Sequence, residues 1–215
     1  MSNFVRIMCV SISLLSLLVM FNGCAGNIAL TKENKAFLKE VSVSQQVSKP
    51  ARITVIGIRE FALSGLGGIG GAVVATELAK SPEAALKAVM EKEGIDPGQI
   101  FREQCINQLK NCGLSCAIID QGGNAEFKLS IAYATFMKPP GFTHNLKLQI
   151  SMKASLVKPD GSILWKDSER VTTMASGTPS HSFKDYVTEP ELIREAFTVC
   201  SKIVAEKLVN NLIGK

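Results

Sequence analysis

The chain has 215 residues, 46% hydrophobic and 20% charged, which is one domain's worth of globular sequence with a real core and no biased segment that would stay disordered. One Trp and two Tyr are too few for a base-stacking platform, so nucleic acid is not an expected partner. The net charge of +5 is mild and spread along the chain; it is compatible with an anionic partner without requiring one.

The first element is an apolar leader. Arg6 precedes residues 7–21, which carry no charge, and the run closes on Gly23-Cys24. It is shorter than the roughly 20 residues that span a bilayer comfortably. Ala25-Gly26-Asn27 then supplies no Lys or Arg to stop transfer. This arrangement resembles the signal of bacterial lipoproteins, with Phe21, Asn22 and Gly23 standing where the lipobox has an aliphatic residue, a small residue, and Gly or Ala. The resemblance implies removal of residues 1–23, a lipid on Cys24, and the membrane as first partner through that lipid. Ala25 rather than Asp after the cysteine implies the periplasmic face of the outer membrane. An ordinary cleaved signal and an uncleaved N-terminal anchor are the alternatives.

Residues 24–39 are polar and weakly helical and read as a tether; residues 40–215 read as a single folded domain. Val41, Val43 and Val47 predict a short strand stopped at Lys49-Pro50, since proline disfavours helix in the residue before it. Residues 53–58 are β-branched and apolar, a core strand. After a glycine-rich segment at 63–80, residues 82–91 read as helix. Asp96-Pro97-Gly98-Gln99 is a helix start, with a capping Asp, Pro at the first position and Gln three residues on. The helix it opens places Phe101, Cys105, Leu109 and Cys112 on one face, and Gly113 ends it. Residues 117–119 form a short strand.

Phe127, Leu129, Ile131 and Tyr133 alternate with polar residues, and the even positions 146–156 alternate with Lys147, Gln149, Ser151, Lys153 and Ser155. Period two means one buried and one wet face. Pro159-Asp160-Gly161 turns the chain into a third antiparallel strand with Ile163 and Trp165 on the core side. Thr188-Glu189-Pro190-Glu191 reads as a second capping box. It opens a terminal helix whose stripe is Ile193, Ala196, Phe197, Cys200, Val204, Leu208 and Leu212. The sum is α+β: an antiparallel or mixed sheet with helices on one face, the long C-terminal helix among them.

Three constellations bear on function. Gly65-Leu66-Gly67-Gly68-Ile69-Gly70 matches the dinucleotide fingerprint literally, but seven residues separate it from the preceding strand and a helical pattern follows, so a nucleotide site is set aside and no cofactor is expected. Gly67, Gly71, Ala75 and Ala79 instead form a stripe without side-chain bulk. A flexible connector, a helix packed closely on the domain or a partner copy, and a membrane-touching segment all fit it. Cys105, Cys112, Cys116 and Cys200 remain after the leader and Cys24 are set aside. In an oxidising periplasm they read as two disulfides, Cys105–Cys200 with Cys112–Cys116 the favoured pairing, or as buried thiols. Their spacing lacks a zinc knuckle, and no metal is expected. The wet sheet face would carry Lys128, Lys147, Lys153, Lys166 and Arg170, a solvated face or an anion- or lipid-facing one. The two histidines, His144 and His181, lie in loops and belong to no catalytic pattern.

The lipobox, the glycine segment, GIDPGQI and LVKPDGSILWKDS together resemble bacterial envelope lipoproteins, over most of the mature chain. More distantly the arrangement is similar to domains of the curli-secretion lipoprotein and to the N-terminal domain of the Tol-system periplasmic protein. The resemblance implies a lipid-anchored, non-enzymatic scaffold or assembly component, with a homo-oligomer or other envelope proteins as partners and no catalytic residues to carry over. A periplasmic lipid- or anion-binding module is the alternative.

Overall fold

Strand alternation builds the framework. In β5 (Lys147–Val157) the side chains of Leu148, Ile150, Met152, Ala154 and Leu156 share one face, and each is at most 2% exposed. β4 (Ala125–Met137) and β6 (Ile163–Val171) flank it antiparallel, which gives the expected meander. On the outer side of β4, β1 (Glu40–Val43) pairs parallel, followed by β3 (Ala117–Ile119), while β2 (Thr54–Ile56) pairs parallel with the far end of β4. The result is a six-stranded mixed sheet in the order β3-β1-β4-β5-β6, with β2 beside β4. The computed structural model describes residues 26–58, 81–141 and 144–214. The leader, Cys24 and the glycine-rich stripe of Gly67, Gly71, Ala75 and Ala79 lie outside the described residues.

The described helices are α1 (Lys32–Phe37), α2 (Pro82–Lys92), α3 (Pro97–Asn111), α4 (Phe183–Thr188) and α5 (Pro190–Ile213), and α3 and α5 lie over one face of this sheet. The Asp96 carboxylate accepts from the N–H groups of Gly98 (2.7 Å) and Gln99 (3.2 Å), so α3 starts where the sequence places it. α5 lies on β5 and β6, and α3 packs along α5 and over β3 and β4. All seven stripe residues of α5 are buried. Beneath them Phe127 and Trp165 stack with centroids 5.5 Å apart, an arrangement worth about 0.5–1.5 kcal/mol beyond simple burial. The fold is α+β, helices on one side and, among the described residues, an uncovered face on the other.

Five local departures have identifiable causes. A bulge between Ile131 and Tyr133 makes Ala132 an extra residue, so Tyr133 turns to the open face while Ala134 and Phe136 take the core positions. A second shift, between Leu156 and Val157 of β5, buries Leu164 and leaves Ile163 44% exposed rather than in the core. The expected core strand at 53–58 is only three residues long; it stops at Gly57, whose φ of +89° suits glycine, and Ile56 is 52% exposed. The capping box sits not at Thr188 but one helix earlier, where Ser182 and Asp185 satisfy each other's backbone N–H groups. Thr188 is thereby inside α4, and α5 starts at Pro190 without a side-chain cap.

The fifth departure concerns residues 26–39, which are docked on the domain rather than loose. Ile28 exchanges both backbone hydrogen bonds with Lys166 at the edge of β6 (2.8 and 3.0 Å). Thr31 caps α1, Lys35 Nζ donates to the Ile213 carbonyl at the end of α5 (3.3 Å), and Leu38 is buried. The Lys158 ammonium sits over the Phe37 ring, 4.6 Å from its centroid.

Candidate anion-binding face

The uncovered face is sorted by charge, and β6 shows how. Pairing sets Ser155 opposite Lys166, Lys153 opposite Ser168 and Ser151 opposite Arg170 on the open side. The intervening Asp167 and Glu169 therefore point to the helix side. There the Asn211 amide donates to both carboxylates, at 2.7 Å and 2.9 Å, which accounts for the burial of Asp167. The Lys-Asp-Ser-Glu-Arg run of β6 thus puts its acids under α5 and its bases in the open.

Across the meander, Lys128, Lys147, Lys153, Lys166 and Arg170 lie on the open face. Glu126 is the sole acid of the three strands on that face, and it sits 3.8 Å from Lys128. The five bases are not one cluster. Lys128 and Lys166 stand on either side of Ser155, one strand spacing of about 4.8 Å away each. Lys153 is two residues along β5 from Ser155, about 7 Å at the rise of a strand. Three lysines at neighbouring positions therefore line one groove with Ser155, and Glu126, paired with Lys128, lines it too. Ser48, Ser130 and Ser44 line the same groove, whose volume is about 640 Å³. Lys147 lies eight residues from Ser155 on β5, about 27 Å away, and its Nζ donates to the Ala175 carbonyl at 3.4 Å. Arg170 is exposed beside Ser151, between these two regions.

Such a groove can hold an anion. Lysine ammonium groups supply point charges that are not tied to one geometry, and serine hydroxyls donate to oxyanions without adding charge. No group of three His, Cys, Asp or Glu side chains among the described residues could hold a metal. His144 is exposed; His181 is not a free loop residue, because its backbone pairs with Leu146 and its ring packs edge-on to Tyr186 at 5.6 Å.

The four cysteines form no disulfide; all are free thiols. Cys200 Sγ donates weakly to the Leu148 carbonyl of β5 at 3.6 Å, and Cys112 Sγ to the Leu109 carbonyl at 3.1 Å. Burial pushes the Cys200 thiol up to about 12 and raises that of Cys105 further. Cys116, half-buried, is raised by burial and by the neighbouring Cys112. A second pocket, of about 540 Å³, lies between Pro50–Ile53 and α2 and gathers no ring of like charge.

Among the described residues no helix is long and apolar enough to cross a membrane. No family model matches the chain, and no curated protein matches it. Similar solved structures include a Xanthomonas campestris protein of family DUF330, 13% identical, with 82% of this chain and 84% of that one covered and a TM-score of 0.43. A PelC dodecamer from Paraburkholderia phytofirmans is 10% identical, with 87% and 95% covered and a TM-score of 0.37. A minor lipoprotein of Acinetobacter baumannii is also 10% identical, with 80% and 94% covered and a TM-score of 0.32.

Proposed function

We propose that this chain is a lipid-anchored envelope protein that acts by binding rather than by catalysis, and that what it binds is anionic. The observation that carries the reading is the groove lined by Lys128, Lys153, Lys166 and Ser155, on a sheet face that no helix among the described residues covers. The leader ending at Gly23-Cys24 supports the address: a lipid on Cys24 puts the domain beside phosphate-rich headgroups. Intact mass of the mature protein tests the anchor, since a diacylglycerol-modified Cys24 at its N-terminus is required. Co-sedimentation of a Cys24→Ser protein with vesicles tests the ligand. Retention by vesicles containing anionic phospholipid and release by neutral ones is the expected result; equal behaviour with both removes the anion reading.

A further inference from the structure

The sequence makes residues 24–39 a tether, and a free tether of that length could let the domain stand up to about 50 Å from its lipid at the 3.3–3.6 Å reach of each extended residue. The structure shortens it. Ile28 pairs with Lys166 through both backbone groups, Thr31 caps α1, and Leu38 is buried in the core, so the chain is held from Ile28 onward. Three residues separate Ile28 from Cys24, four steps of the chain with a reach of at most about 14 Å. A lipid on Cys24 is thus confined near the β6 edge of the sheet.

At that edge two faces compete for the bilayer. The helix side presents the outer surface of α5, where Glu191, Glu195 and Glu206 balance Arg194, Lys202 and Lys207, while the open side presents Lys166 and Arg170, with Lys128 and Lys153 behind them. An anionic leaflet attracts each Lys or Arg near its surface by about a fivefold gain in association and repels carboxylates. Charge therefore selects the open face.

We infer that the N-terminal segment is a latch: by pairing Ile28 with Lys166 it holds the basic sheet face against the same bilayer that carries the protein's own lipid, with a headgroup phosphate seated over Ser155 between Lys128, Lys153 and Lys166. This rests on the anchored, anion-binding reading above and adds the orientation, the occupant and the residue that sets it. Without the latch the lipid still retains the protein, but the face is free to turn away.

The test uses the full-length lipidated chain reconstituted in vesicles containing anionic phospholipid, with a photo-crosslinking amino acid at Ser168 on the open face or at Lys202 on the exposed side of α5. Lipid labelling from Ser168 at least fivefold above that from Lys202 is expected, and in neutral vesicles that excess should vanish. Ile28→Pro removes the N–H that donates to Lys166 and should bring Ser168 down to the Lys202 level while the protein stays on the vesicles. Emission of the single tryptophan, Trp165, confirms that the variant keeps its core. Equal labelling at the two sites in the unaltered chain, an excess that persists in neutral vesicles, or an Ile28→Pro variant that labels like the parent, overturns the latch and leaves the anchored reading standing. A mature chain without lipid on Cys24 overturns both.

Discussion

Ser201 lies on α5 among the buried positions of the stripe, fully inaccessible, and its hydroxyl has no hydrogen-bond partner among the described residues. An unpaired buried hydroxyl costs about 1–3 kcal/mol relative to water, because the lost hydration is not replaced. Ser201→Ala removes that oxygen without adding volume. Alanine is also the better helix former, by a few tenths of a kcal/mol, while the space left by one oxygen forfeits some dispersion contact. The balance is a gain of about 1–2 kcal/mol. Trp165 reports it directly, since it is the single tryptophan, 2% exposed and stacked on Phe127, so unfolding moves it from core to water. With a urea m-value of about 2 kcal/mol/M, the midpoint should rise by roughly 0.5–1 M at unchanged m. A midpoint that stays put or falls would refute the reasoning, and would mean that the hydroxyl is satisfied by a carbonyl of its own helix.

Three other outcomes are expected. Reversing Lys128 and Lys153 together to Glu should weaken binding to anionic vesicles by more than about tenfold, given roughly fivefold per charge, whereas Lys147→Glu, held at Ala175 far from Ser155, should change it by much less; equal losses from the two would deny the groove a special role. Asp96→Ala should cost about 1 kcal/mol by uncapping α3. Burial alone would raise the Asp96 carboxyl, but the Lys49 ammonium at 2.7 Å and two backbone N–H groups outweigh it and hold the group below the usual carboxylate range. Its stabilisation is then present above about pH 4 and lost as pH falls through the lowered value, so wild type and Asp96→Ala should converge in acid denaturation curves. Finally, a thiol reagent applied to the native protein at neutral pH should add two groups, at Cys112 and Cys116, and reach Cys105 and Cys200 only in denaturant; four rapid adducts by intact mass would contradict the burial.

The parts of the fold that sequence made legible are those governed by one dominant period. The even positions of β5 and the stripe of α5 bury as their patterns dictate, because a one-residue slip would put every one of those side chains in water. The errors fall where a single extra residue changes the period. Ala132 and Leu164 each reset the parity of a strand, and Tyr133 and Ile163 change places with their neighbours as a result. Docking of residues 26–39 was illegible for another reason. Its outermost tie is Ile28, which donates one backbone hydrogen bond to Lys166 and accepts one from it, and backbone pairing at an edge leaves no side-chain pattern to read.

The same logic explains why composition understated the basic face. A net charge of +5 averages over both sides of the sheet, and in β6 two bases and two acids cancel along the chain. Period two separates them in space. Asp167 and Glu169 go under α5, where Asn211 satisfies them, and Lys166 and Arg170 go to the open side. The helix is therefore part of the electrostatics of a face it does not touch: by holding the carboxylates it keeps them from neutralising the lysines. Asn211→Leu would leave both acids without that donor. Asp167, almost fully buried, would lose its side-chain partner and turn outward toward Lys166. Vesicle affinity in that variant should fall although no basic residue has changed. An affinity that tracks wild type would show that the acids were never a threat to the groove.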